Sequence, residues 1–89
     1  MEKHISIKIT GKVQAVGFRY HCQNIANELS IKGFVKNEYD GSVYIEASGE
    51  ANKIEQFVNW CYNGPKWAMV ENVQILENPI EHVGSFVVK

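Results

Sequence analysis

Apolar residues alternate along Ile5, Ile7 and Ile9, with His4, Ser6 and Lys8 between them. A period of two marks a strand with one buried face. From Phe18 the spacing changes. Phe18, Cys22, Ile25, Ala26 and Leu29 recur at three and four, the apolar stripe of a helix. The stretch Gly11-Lys12-Val13-Gln14-Ala15-Val16-Gly17-Phe18-Arg19 must therefore turn a strand directly into a helix. Such a turn gathers backbone N–H groups at a helix N-terminus, which carries partial positive charge. An anion, most often a phosphate, fits there. Arg19 falls in the first helical turn, where its planar fork can grip two phosphate oxygens. The two glycines match neither the Walker nor the dinucleotide spacing. On pattern alone the stretch reads equally as an ordinary connection with a solvated Arg.

The remaining chain continues the same two periods. The first strand is expected over about Ile5 to Thr10 and the first helix over about Phe18 to Ser30, with Gly33 as its left-handed stop. Phe34-Val35-Lys36-Asn37 reads as a second strand. Asp40-Gly41 is a strong hairpin signal. Val43, Ile45 and Ala47 then alternate with Tyr44, Glu46 and Ser48 in a third strand, closed by Gly49. Ala51, Ile54, Phe57, Val58 and Cys61 form the buried stripe of a second helix, which Asn63-Gly64-Pro65 stops. Val70, Val73 and Ile75 suggest a fourth strand, broken by Asn78-Pro79, and Phe86-Val87-Val88 a short last strand at an edge.

Two helices with one apolar stripe each must pack on one sheet. The tight Asp-Gly turn makes strands two and three antiparallel, and the crossover through the first helix makes strands one and two parallel and right-handed. Strand three between them gives the split βαβ of a ferredoxin-like α+β fold: βαββαβ, one mainly antiparallel sheet with two helices on one face. That order puts the C-terminal ends of strands one and two at the same edge, about two strand spacings or roughly 10 Å apart. Gly11–Arg19 follows the first of those ends, and Asn37 sits at the second.

A chain of 89 residues implies one domain over 1–89. A net charge of −1 argues against nucleic acid or an anionic membrane as partner. No apolar run approaches membrane-spanning length, and Met1-Glu2-Lys3-His4 lacks a secretory apolar region. Cys22 and Cys61 fall on apolar helix stripes and read as buried reduced thiols, so a cytoplasmic monomer is expected. His4, His21 and His82 show no ligand spacing, and neither a metal nor a cofactor is called for. His21 reads as a solvated helix-face residue. Trp60 and Trp67 read as covers over helix and sheet ends.

Ile9-x-Gly11-x-Val13-Gln14-Ala15-Val16-x-Phe18-Arg19 resembles the first signature of the acylphosphatases, with Ala15 where the family has Gly. Gly33-Phe34-Val35-Lys36-Asn37, then Gly41, Val43 and Gly49, is similar to the second signature without a departure. Gly64-Pro65, Ala68 and Val70 also fall where the family tends to have them. The resemblance spans nearly the whole chain and implies the ferredoxin-like fold and hydrolysis of small-molecule acyl phosphates to carboxylate and inorganic phosphate. It implies that Val13, Gln14, Ala15, Val16, Gly17, Phe18 and Arg19 hold the phosphate and that Asn37 orients the attacking water. Arg19 and Asn37 are the implied catalytic pair. It implies also that the substrate's own phosphoryl oxygen takes the water proton, so that catalysis rests on positioning and charge without a metal.

The departure at Ala15 leaves three readings. The position needs a positive φ, or it lies close to the phosphate, and in either case Ala reduces activity. Otherwise φ is negative and Ala is neutral. Two other functions stay open: a relative that binds an anion without hydrolysing it, and a nucleic-acid-binding module of the same topology. The second is disfavoured by its expected open face. His4, Ser6, Lys8 and Thr10 of strand one and Tyr44, Glu46 and Ser48 of strand three make a poor stacking platform.

Overall fold

The structure is a computed structural model that describes residues 1–79 and 84–89; His82 lies outside the described residues. The elements run β1 (Glu2–Lys12), α1 (Phe18–Glu28), β2 (Lys32–Asn37), β3 (Val43–Glu50), α2 (Ala51–Cys61), β4 (Met69–Asn78) and β5 (Phe86–Val88). The five strands form one sheet in the order β4-β1-β3-β2-β5. β3 lies between β1 and β2 and is antiparallel to both, β4 is antiparallel to β1, and β5 runs parallel to β2 at the far edge. This is the ferredoxin-like α+β topology that the periods imply.

Both helices bury the residues their spacing selects. Phe18, Cys22 and Ala26 of α1 and Ile54, Phe57 and Cys61 of α2 are buried with Ile5, Ile7, Ile9, Val35, Val43 and Ile45 of the sheet. Each of the Ile, Val and Phe side chains among them contributes about 1.5–3 kcal/mol on burial. Cys22 and Cys61 are free thiols, and burial pushes both well up from the ordinary thiol range. Cys61 lies near enough to Cys22 to add to the rise.

Three expectations are corrected. First, β1 does not end at Thr10. Its pairing with β4 continues to Lys12 across a register shift between Thr10 and Gly11, so the turn proper is shorter. Second, the left-handed residue after α1 is Ser30 (φ 57°), and Gly33 is already in β2. Gly33 is required there by close approach: a Cβ would stand 1.9 Å from the Glu46 carbonyl oxygen. Third, His4, Ser6 and Ser48 lie on the face away from the helices, as expected, but are buried there rather than open to solvent. His4 Nε2 lies 3.1 Å from Glu46 Oε1, and Tyr44 Oη donates to Glu46 Oε2 at 2.9 Å, so polar side chains cover this part of the face themselves.

Candidate active site

Within the turn, Val13 and Phe18 are buried, so only their main chains can face an anion. Phe18 packs on Trp60 at 5.2 Å between centroids, and Gly64 leaves its ring room: a Cβ there would stand 2.7 Å from Phe18 Cε2. The Gly64-Pro65 stop of α2 thus also seats the start of α1. Between these two anchors the chain turns on Ala15 (φ 61°) and Gly17 (φ 77°), both left-handed. Of the three readings of Ala15, the positive φ is the one observed. Gly17 is the N-cap of α1, with no capping side chain, and the first turn carries no acidic residue. The N-terminal N–H groups of the helix therefore keep their capacity for an external acceptor.

Gln14 is bound to a distant part of the chain. Its Nε2 donates to the Glu38 and Ser42 carbonyls, at 2.8 and 2.9 Å. Those carbonyls are the two ends of the β2–β3 connection, where Glu38 N also donates to Ser42 O at 2.9 Å. Asp40 shapes this connection by accepting from the Ser42 amide at 2.9 Å and from the Ser42 hydroxyl. It is joined to Lys8 at 2.8 Å. The Lys8 ammonium, followed by the Ser42 hydroxyl and amide, holds the Asp40 carboxyl well below the usual carboxylate range. The same pairing raises Lys8.

Arg19 leans toward the other edge of the sheet. Its Nη1 donates to the main-chain oxygen of Lys89 at 2.7 Å. The Lys89 N–H in turn donates to Val35 O at 2.9 Å, two residues before Asn37 on β2. The guanidinium is thus held over the end of β5, the strand next to β2. Asn37 lines an open depression of about 540 Å3 with Gln14, Lys36, Glu38 and Tyr39. Its Oδ1 is buried and has no hydrogen-bond partner among the described residues. The fold brings the turn, Arg19 and Asn37 to one edge of the sheet.

Two contacts in this arrangement have no local signal in the sequence: the Gln14 clamp and the Arg19–Lys89 bond. His21 is solvent-exposed, as expected. Trp60 is half-buried against Phe18 and Phe57, whereas Trp67, expected as a cover, is 69% exposed. Among the described residues no three His, Cys, Asp or Glu side chains converge as metal ligands, and no helix is long and apolar enough to cross a membrane.

The Acylphosphatase family model matches residues 5–88. The chain belongs to the acylphosphatase family. An acylphosphatase of Thermotoga maritima is 41% identical over 87 residues, covering 98% of this chain and 97% of that one. The acylphosphatase of Archaeoglobus fulgidus is 44% identical over 84 residues, 94% of each. The solved structure of an acylphosphatase from Coxiella burnetii superposes with a TM-score of 0.95 at 38% identity, over 99% of this chain and 93% of that one.

Proposed function

We propose that the acyl phosphate hydrolysed by this acylphosphatase-family enzyme binds by its phosphoryl group in the Gly11–Arg19 turn, with Arg19 as its cation and Asn37 holding the attacking water. The observation that carries this reading is the bond from Arg19 to Lys89. Through Lys89 N–H and Val35 O it ties the guanidinium to β5 and so to β2, the strand that ends in Asn37, which supports the pairing of the two.

The roles follow from chemistry. The N–H groups at the start of α1 and the Arg19 fork supply positive charge to the equatorial phosphoryl oxygens. The Asn37 carboxamide, in the wall of the depression, orients a water by hydrogen bonding and leaves an oxygen lone pair free for phosphorus. An amide cannot deprotonate that water, so the second proton passes to a phosphoryl oxygen of the substrate. The P–O bond to the acyl oxygen breaks as the new P–O bond forms. The carboxylate leaves without a general acid because it is a weak base. The gain is positioning and fixed charge, as in phosphoryl transfer generally. No cofactor has a role, and the chain acts as a single domain on a small molecule.

The roles separate by mutation. Arg19→Ala weakens inhibition by inorganic phosphate and lowers kcat together, because the guanidinium meets charge in both ground and transition states. Asn37→Ala lowers kcat by about 10²-fold or more while phosphate inhibition stays within about twofold. The reverse pattern, with Asn37→Ala abolishing phosphate inhibition, would show the roles to be misassigned.

A further inference from the structure

We infer that Gln14 is a positioning residue for the hydrolysis: its carboxamide joins the phosphate turn to the strand end that carries Asn37 and so sets the attacking water against the phosphorus. The inference rests on the proposed roles of the turn and Asn37 and adds a residue to that same site.

The family resemblance counts Gln14 among the residues that hold the phosphate. Its side chain is committed elsewhere. A carboxamide nitrogen carries two protons, and Nε2 gives them to Glu38 O at 2.8 Å and Ser42 O at 2.9 Å. What remains is Oε1, an acceptor, which offers an anion nothing. Any contact of Gln14 with phosphate therefore runs through its main-chain N–H.

The two acceptors flank the water-holding residue. Asn37 and Val43 are the last pair of the β2–β3 ladder. Glu38 follows Asn37 and Ser42 precedes Val43, so the clamped carbonyls stand just beyond that pair on either strand. The Ser42 carbonyl also takes the Glu38 N–H at 2.9 Å, which fills both of its lone pairs and fixes it from two sides. Gln14 and Asn37 line one depression together.

The ladder itself does not make this join. Among the described residues β1 pairs with β3 only as far as Ile9–Val43, and past Ile9 it pairs with β4, on the side away from β2. The turn thus leaves the sheet with its ladder bonds on the wrong side to register Asn37. Gln14 supplies that register, between the buried Val13 and the left-handed Ala15. Without the clamp the turn keeps its own N–H groups and Arg19, so it still grips phosphate. What it loses is the distance and angle to the water, and a misplacement of about 1 Å can cost on the order of 10²-fold in rate.

The test is a double-mutant cycle on acetyl phosphate hydrolysis, with inhibition by inorganic phosphate measured beside it. Gln14→Met keeps the length of the side chain and removes both donors. In the wild-type background it is expected to lower kcat about tenfold or more while phosphate inhibition stays within about twofold. In the Asn37→Ala background, where the water is already unplaced, the same change should lower the remaining kcat by less than about twofold. Gln14→Asn keeps the amide one methylene short and is expected to lose less; it runs the same cycle where the Met variant does not fold. Phosphate inhibition that weakens in step with kcat would return Gln14 to the phosphate-holding residues. An equal loss in both backgrounds would make the clamp a support of the fold alone. Either result overturns the positioning role and leaves the hydrolytic reading standing. An Asn37→Ala protein with wild-type kcat would overturn the role of Asn37 and the inference with it.

Discussion

Ala15→Gly is expected to stabilise the protein, although glycine usually loosens a chain. Ala15 stands at φ 61° and is exposed. A left-handed conformation costs a residue with a Cβ about 1–2 kcal/mol, and glycine removes that cost. Against it, glycine gives the unfolded chain extra freedom worth about 0.4–1 kcal/mol. Because the methyl is exposed, deleting it leaves no cavity. The balance is a gain of about 0.7 kcal/mol, which for a domain of this size raises Tm by about 3–6 °C. A second gain concerns the site. A turn that no longer strains has less reason to leave its phosphate-ready shape, and the competent fraction scales apparent affinity. Relief of about 1–2 kcal/mol sets the ceiling at roughly a five- to thirtyfold improvement in phosphate inhibition and kcat/KM. Thermal melts in saturating and zero inorganic phosphate, with kinetics on the same preparations, read both effects. A lower Tm in the variant would refute the strain. An unchanged or lower kcat/KM together with unchanged phosphate affinity would show that Ala15 is no handicap to the site.

Three further outcomes follow from the geometry. Gly64→Ala forces a Cβ within 2.7 Å of Phe18 Cε2 at a φ of 67°; strain and overpacking together cost about 2–5 kcal/mol. A lower urea midpoint with a raised KM is expected, and an unmoved midpoint would contradict the anchoring of the turn by Phe18. Asp40 is held below its ordinary value of 3.8, so its contribution to stability is present above about pH 4 and fades as pH falls toward its folded value. Asp40→Asn should therefore lower the urea midpoint more at pH 7 than at pH 2.5, and an equal loss at both would exclude the charge as cause. Because Arg19 and the helix N-terminus supply the positive charge, turnover should survive EDTA. Loss of turnover in chelator, restored by a divalent cation, would refute metal-free catalysis.

Much of the fold was legible because two periods carry it. Ile5, Ile7 and Ile9, then Phe18, Cys22 and Ala26, name their elements and buried faces directly. The topology followed from one tight turn at Asp40-Gly41 and one crossover. Periodicity fails where the decisive contact is distant. It told which side His4 and Ser6 face but not that Glu46 and Tyr44 would cover them. It placed a left-handed stop on Gly33, because glycine is the usual residue there, whereas Ser30 takes that conformation and Gly33 answers to the Glu46 carbonyl instead. The positions of Arg19 and Asn37 at one sheet edge were readable from topology and motif. Their supports were not: Gln14 reaches 24 and 28 residues ahead, and Arg19 reaches 70. Trp67, expected to cover the fold, is exposed beside the turn.

The Gln14 clamp explains how a site split between two strand ends can keep its geometry. The turn that would hold phosphate and the strand end that would hold water are separated by β3, so backbone pairing alone fixes their strands but not their loops. A carboxamide nitrogen has two protons, and Gln14 gives both to carbonyls at opposite ends of the Glu38–Ser42 connection. A carboxylate in its place would face those carbonyls as an acceptor, and a shorter amide would not span the gap from the turn. Each such bond adds only about 0.5–1.5 kcal/mol to stability. Its larger effect is on geometry, because a misplacement of about 1 Å between reacting groups can cost on the order of 10²-fold in rate. Arg19 is fixed independently, through Lys89 and β5. The two ties run from either end of one short turn, one to the β2–β3 connection and one to the residue after β5. Ala15, with its left-handed φ of 61°, stands between the two ties.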